Sequence, residues 1–364
     1  MNKEEIVRIR LQRQLVTASS CISPEEVVRH MVAIQAQDYR SSLWAIALRM
    51  DKPTSVSESA VEQAFANRRI VRTWPMRGTL HWVSAEDVRW MLRLLAPKVI
   101  KGAQGRHREL ELDEPTLENA RSLFENAMQG GISLSRSELY QLLERNGISP
   151  QGQRGIHIIG YWAMRGLLCQ VPKKEKQDAF ALLDDWIPNT GVIPEEEALA
   201  MLAGRYIQSR GPATDYDLAN WAGLTLRQAR VGLELASPHL ASMVVEGDTY
   251  WLPQEDRMDS PSRDQEGVHL LPAFDEMLCG YKDRSALLTS VEMKSTILRN
   301  GIFKPLILLN KRAIGTWQRI IKPNYVLVSF SFFKPVTVKE KQLVRDGAMN
   351  LQPFFERDVC VASE

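Results

Sequence analysis

The chain has 364 residues, 44% of them hydrophobic, enough to fill two or more cores or one repeat array. Forty-six Lys and Arg against 44 Asp and Glu leave a net charge of +2, so any nucleic-acid surface has to come from local segregation of charge. Cys21, Cys169, Cys279 and Cys360 lie far apart with no Cys-x-x-Cys pair, the six histidines show no ligand spacing, and no Walker or dinucleotide fingerprint appears. These features argue against a disulfide framework, a metal site or a nucleotide cofactor. The charged start Met1-Asn2-Lys3-Glu4-Glu5, with no apolar signal segment or long uncharged run, predicts a cytoplasmic protein with no membrane partner.

In chain order, residues 4–15 set Ile6, Ile9, Leu11 and Leu15 among Arg8, Arg10 and Arg13, the spacing of an amphipathic helix. A second helix is marked by Ser23 as N-cap, Pro24 at the first helical position and Glu26 at the third, a capping box, with Val27, Val28, Met31 and Ile34 as its core stripe. That apolar run meets two amides and a carboxylate, Gln35, Gln37 and Asp38. Residues two apart on a continuous helix point about 200° apart, so Gln35 and Gln37 serve one site only if the helix breaks near Ala36 into extended backbone, and we expect that break. Spacing alone leaves a second reading open, in which Gln35 faces solvent, Gln37 caps the helix end and neither does chemistry. A third helical run covers 43–48. After a break at Pro53, Val56, Ala60, Val61, Ala64 and Phe65 recur at helical spacing. Residues 70–74 and 79–83 are then short β runs around a turn containing Pro75 and Gly78, so helices followed by a hairpin give the winged-helix order.

That order recurs. In a second copy, helices at 116–128, 135–143 and 155–165 precede a hairpin of strands 167–171 and 179–183 whose tip is the charged run 173–178. In a third, helices at 198–209, 215–222 and 225–235 precede strands 243–246 and 249–252 joined at Gly247-Asp248. The recognition-position helix of this copy carries Arg227 and Arg230 but also Glu234, so DNA contact and a plain structural role stay open. From about Val268 the composition is β-rich, with strands at 304–309, 313–317 and 325–330, a helix at 338–345, and Asn310-Lys311-Arg312 as the tip of a basic hairpin placed to touch DNA. The expected architecture is α+β: three tandem winged-helix repeats (1–110, 111–190, 191–264) followed by a barrel-like β-rich domain (265–364), packed as one body.

Several stretches together carry a resemblance: Gln35-Ala36-Gln37, Arg77-Gly78-Thr79-Leu80-His81-Trp82, Gly211-Pro212-Ala213-Thr214 with Trp221, Leu271-Pro272-Ala273-Phe274-Asp275 through Gly280-Tyr281, and Gly315-Thr316-Trp317. In order and spacing, over nearly the whole chain, the sequence resembles the AlkZ-like and YcaQ-like bacterial DNA glycosylases, which combine winged-helix repeats with a Gln-apolar-Gln or Gln-apolar-Asp motif. The resemblance places this chain in the Gln-x-Gln branch. It implies Gln35 and Gln37 as catalytic residues, bulky N7-guanine adducts as substrates and unhooking of interstrand crosslinks.

Two glutamines cannot act as a general base or a covalent nucleophile at neutral pH, because an amide does not titrate there. They can hold a water against an anomeric carbon and place amide oxygens near developing positive charge. An N7-alkylated guanine already carries positive charge, so little acid assistance is required. No lysine adjoins the motif, which argues against a Schiff-base lyase step and for a monofunctional enzyme. A crosslinked base cannot be flipped out in the ordinary way, and an open groove along stacked repeats would accept it. Arg68, Arg69, Arg72 and Arg77, interleaved with Trp74, His81 and Trp82, supply phosphate contacts beside groups that stack on bases; the alternative is core tryptophans and a solvated arginine face. Asp38 could stand in for a missing carboxylate, and Asp275 with Glu276 orients Arg284, supports the active surface or forms a structural ion pair. The reading is therefore a monomeric, metal-free and cofactor-free glycosylase acting on double-stranded DNA with alkylated purines or crosslinks, cytoplasmic and nucleoid-associated when bound. Its rivals are a non-catalytic winged-helix DNA-binding or regulator protein and a protein-interaction scaffold.

Overall fold

The computed structural model describes residues 1–51, 56–189, 191–254 and 267–362, so the break at Pro53 and the boundary at 264/265 lie outside the described residues. The first block begins with α1 (Lys3–Arg13) and α2 (Pro24–Met31), followed by β1 (Ala33–Gln35), α3 (Tyr39–Ala47), α4 (Glu58–Ala66) and the hairpin β2 (Ile70–Met76) and β3 (Thr79–Ser84). Ser23 caps α2 through the Glu26 N–H as expected. The Glu26 carboxylate, however, reaches past Ser23 to the Ile22 N–H at 2.7 Å, so the box closes one residue early. The helix also ends at Met31, three residues before the last position of its apolar stripe, Ile34. Val32 takes φ +63°, and Ile34 is a strand residue that still reaches the core.

A 22-residue helix, α5 (Val88–Glu109), crosses to the second block, a long element absent from the sequence reading. There α6 (Glu114–Met128), the two-residue β4 (Leu134–Ser135), α7 (Arg136–Arg145) and α8 (Arg154–Met164) precede the hairpin β5 (Leu168–Lys174) and β6 (Gln177–Leu182) and the short α9 (Leu183–Trp186). The two hairpins are not separate wings: they share a six-stranded sheet in the order β1-β3-β2-β5-β6-β4, joined where Arg72 pairs with Gln170. The third block is α10 (Glu195–Arg210), α11 (Asp215–Ala222), α12 (Leu226–Ala236) and a free-standing hairpin, β7 (Leu240–Val245) and β8 (Asp248–Pro253). Its core merges with the inner face of the six-stranded sheet, where Tyr206, Trp221 and Leu202 meet Ala33, Val71 and Val83.

The C-terminal segment supplies β9 (Val268–Leu271), α13 (Glu276–Cys279), α14 (Ser290–Thr296), β10 (Leu306–Leu309), β11 (Arg312–Ile321), β12 (Tyr325–Phe332), α15 (Val338–Met349), α16 (Gln352–Phe355) and β13 (Asp358–Val361). Its five strands run β13-β12-β11-β10-β9 as an open sheet that curls into half a barrel and does not close. It packs on the first block. Trp44 donates its indole N–H to the Leu270 carbonyl at 2.7 Å and meets Phe354 at 5.0 Å, within one core that also holds Trp82, Ile307 and Trp317.

The hairpins β2–β3, β5–β6, β7–β8 and β10–β11 all turn on two residues at positive φ: Arg77-Gly78, Glu175-Lys176, Glu246-Gly247 and Asn310-Lys311. This backbone twist matches that of the flanking strands. It moves the third turn one residue upstream of the expected Gly247-Asp248 and leaves Pro75 within β2, at an irregularity in the ladder. Among the described residues no helix is long and apolar enough to cross a membrane.

Candidate active site

β1 is three residues long, yet it sets the geometry of the site. It pairs antiparallel with β3, Ala33 against Val83, Ile34 against Trp82 and Gln35 against His81, and the Ala36 N–H continues the ladder to the Leu80 carbonyl at 2.7 Å. Extended backbone alternates faces, so Ile34 enters the apolar core with Trp82 while Gln35 takes the opposite face; Ala36 joins the core with Leu80, and Gln37 follows at the bend that ends the strand. Extended geometry is present at Gln35, produced upstream at Val32 rather than at Ala36, and Gln37 follows in a bend between β1 and α3.

Gln35 is 6% exposed and Gln37 is exposed, so the pair runs from the interior to the surface. The Gln35 Oε1 accepts the Gln37 N–H at 3.1 Å, and the Gln37 Oε1 accepts the Leu80 N–H at 3.4 Å. A backbone N–H can only be met by the amide oxygen. This fixes both amides with their –NH2 groups directed away from the backbone, and each oxygen keeps a second lone pair. Asp38 does not join them: its carboxylate caps α3 by accepting the Ser41 N–H at 3.0 Å.

The backbone beneath the motif is held by buried charge. Arg210, the last residue of α10, donates to the Met31 carbonyl at 2.8 Å and the Ala33 carbonyl at 2.9 Å, and Glu276 accepts the Gln35 N–H at 2.9 Å. The two side chains pair with each other at 2.7 Å, and the Trp221 indole donates to the same Glu276 oxygen at 3.0 Å. Burial alone would raise the Glu276 carboxyl; the Arg210 guanidinium and the Gln35 N–H outweigh it and hold it below the usual range, ionised.

His81, beside Gln35, is fully buried. Burial, then the charge of Arg77, push its pKa down to about 3. It is neutral at physiological pH, with Nδ1 donating to the Thr79 carbonyl at 2.9 Å and Nε2 left as an acceptor facing the Arg77 guanidinium at 3.4 Å. The hydroxyls of Thr73 and Thr79 and the Arg77 Nε, on the same hairpin, are buried without a hydrogen-bond partner among the described residues.

The other sequence-nominated residues divide. Arg68 and Arg69 are exposed beside the first hairpin, with Arg68 over the Trp186 ring at 4.4 Å, and Arg77 is half-buried at its turn. Arg72 is no surface cation: it is 4% exposed and donates twice to the Ala36 carbonyl, at 2.7 and 3.2 Å, and to the Gln170 side chain at 2.6 Å, with Asp178 3.6 Å away. Trp82 is equally enclosed, its indole bonded to the Ser42 hydroxyl, and Trp74 stacks on Phe180 in the second-block core, so neither ring is presented as a wedge. Lys311 and the exposed Arg312 lie at the β10–β11 turn as expected, Lys311 within 3.9 Å of Glu4. Asp275 does not orient Arg284. It forms a bidentate buried pair with Arg49, both bonds 2.9 Å, while Arg284 donates to the Leu278 and Lys282 carbonyls.

Sequence reading passed over Arg210, Arg49 and Gln170, whose roles appear only when distant segments meet, and over Lys173. That lysine, on the second hairpin, is exposed and sits 4.2 Å over the Tyr39 ring, two residues beyond Gln37. The signal available for it was the charged run at 173–178.

A family model described as DNA glycosylase AlkZ-like matches residues 28–354. A curated relative, an interstrand DNA cross-link repair glycosylase of Streptomyces sahachiroi, is 25% identical over 349 residues, covering 91% of this chain and 91% of that protein. The solved structure of the Streptomyces sahachiroi DNA glycosylase AlkZ superimposes with a TM-score of 0.80 at 21% identity, over 100% of both chains.

Proposed function

Since the chain belongs to the AlkZ-like DNA glycosylase family, we propose that it excises N7-alkylguanine from double-stranded DNA by water attack positioned by Gln35 and Gln37, and that it unhooks interstrand crosslinks built on the same atom. The observation that carries this reading is the pair of hydrogen bonds from the Gln37 N–H to the Gln35 amide oxygen and from the Leu80 N–H to the Gln37 amide oxygen, which hold the two amides close together with the outer one at the surface. Each amide offers a free –NH2 donor and a spare oxygen lone pair, so a water can accept from one and donate to the other while its oxygen faces the anomeric carbon C1′. As the C1′–N9 bond breaks, its electron pair neutralises the cationic N7-alkylguanine. The water oxygen bonds C1′, the water proton passes to solvent, and the products are free base and an abasic site. The spare lone pairs of the amide oxygens also stabilise the positive charge that develops on the sugar.

No titrating base is required, which suits this site. His81 is neutral with a pKa far below 7, and Asp38 is committed to a helix cap. The helix–hairpin blocks (1–110, 111–190, 191–264) act in this reading as three winged-helix repeats that hold the duplex in an open groove, ahead of the C-terminal unit (265–364). Arg68, Arg69, Arg77, Lys311 and Arg312 meet backbone phosphates. The protein works as a monomer in the cytoplasm, on the nucleoid. The name of the Streptomyces sahachiroi relative supports the crosslink part of the proposal.

The test is release of N7-methylguanine from a methylated duplex, and of one strand from a duplex carrying an N7-to-N7 crosslink, with abasic sites read by alkaline cleavage. Release from both is expected. Release of methylguanine without unhooking would confine the enzyme to monoadducts, and release from neither would overturn the proposal.

A further inference from the structure

β1 lies at the edge of its sheet. Its inward groups bond β3, and its outward groups, Ala33 O and Gln35 N, face away from the ladder where a further strand would stand, just past the Met31 carbonyl that ends α2. Two side chains occupy that place. Arg210 takes the Met31 and Ala33 carbonyls, Glu276 takes the Gln35 N–H, and the two are joined through the Glu276 oxygen that also accepts from Trp221. We propose that Arg210 and Glu276 are a positioning pair for the glycosylase reaction, standing in for a missing strand and fixing where Gln35 and Gln37 meet the sugar. The inference rests on the reading of the two glutamines as the water-holding groups.

Three features carry it. The contacted strand groups, Ala33 O and Gln35 N, are the alternate outward pair that a neighbouring strand would bond, and Arg210 also takes the Met31 carbonyl at the end of α2. The two Arg210 bonds straddle Val32, a β-branched residue held at φ +63°, ψ −53°. That conformation persists only where its surroundings over-determine it. Finally, the adjacent pair of Arg49 and Asp275 is as deeply buried but bonds Ala45, Gln14 and Met277, none of them in the motif strand. It is the matched control for burial of charge without contact to β1.

The test uses single-turnover excision of N7-methylguanine, duplex affinity by fluorescence anisotropy and thermal unfolding, on the full chain. Glu276→Asp keeps a carboxylate for Arg210 but withdraws it from the Gln35 N–H; the expected result is a rate lower by about 10²-fold at unchanged affinity, the size expected when reacting groups are misplaced by about 1 Å. Arg210→Lys, which can hold one carbonyl but not both, should fall in the same direction. Arg49→Lys should lower the melting temperature and keep the wild-type rate wherever it is folded. A wild-type rate in Glu276→Asp, or a parallel fall of rate, affinity and folded fraction in all three variants, would overturn the proposal. Should Glu276→Asp not fold, Trp221→Phe removes the indole N–H bond to the carboxylate and keeps a smaller aromatic ring in its place beside Tyr206 and Arg210: a severalfold lower rate at unchanged affinity in folded protein supports the role, and an unchanged rate sinks it. Gln35→Ala in the same assay separates the two readings. A full rate there removes the glutamine mechanism and the pair's role with it, whereas an inactive Gln35→Ala beside a fully active Glu276→Asp removes only the positioning pair.

Discussion

His81 shows how one buried side chain ties the site to solution conditions. Its imidazole has an unperturbed pKa near 6.5 in the unfolded chain and about 3 in the folded one. The unfolded state therefore binds more protons between these values, and stability falls as pH falls below about 6.5, approaching about 1.4 kcal/mol per unit for this group. Equilibrium denaturation of wild type and His81→Asn at pH 7, 6 and 5 should show the steeper loss in wild type; equal slopes would mean that His81 titrates normally. Gln35 and Gln37 are singled out in the sequence by the family resemblance, because two amides two residues apart at the end of a capped apolar helix are by spacing alone as consistent with a solvent-facing residue and a helix cap. Glu276 stands out in the sequence together with Asp275 as a candidate carboxylate, without its partners, and Arg210 carries no signal at all. A buried ion pair between positions 66 residues apart leaves no periodicity, and each member reads singly as an ordinary surface charge.

At the level of elements, the helix-to-strand switch at Val32 places Gln35 on a strand beside His81, and Asp38 restarts the helix directly after the motif. Asp38→Asn preserves a good N-cap and should keep both stability and excision, while Asp38→Ala should cost about 1 kcal/mol of stability. Loss of excision in the stable Asp38→Asn variant would instead give the carboxylate a chemical role. The helix–hairpin order of the blocks was readable because turn residues and the change of period from 3.6 to 2 are local signals. The fusion of two hairpins into one sheet was not, since a pairing such as Arg72 with Gln170 is long-range. For the same reason Arg72 was read as a phosphate ligand: a strand arginine exposed on its own hairpin is covered once a second hairpin joins the sheet, and its guanidinium then finds the Ala36 carbonyl.

Across the whole molecule, a near-neutral chain must bind DNA through segregated charge, and the arginines sort by exposure. Arg68→Ala should weaken duplex binding and reduce the dependence of log affinity on log salt by about 1, as expected for one lost phosphate contact. Arg72→Gln should leave that slope unchanged and lower excision through the Ala36 carbonyl. A changed slope would return Arg72 to the DNA surface. Arg210 of the third block, Glu276 of the C-terminal α13 and Arg72, itself bonded to Gln170 of the second block, all bond the backbone of residues 33–36, so the glutamines are held by distant segments as well as by their own. The central claim is that these two amides do the chemistry, and the most direct measurement is single-turnover release of N7-methylguanine by wild type, Gln35→Ala and Gln37→Ala at saturating protein. A fall of about 10²-fold or more in both variants, with duplex affinity kept, is the predicted result. A wild-type rate in either would contradict the account.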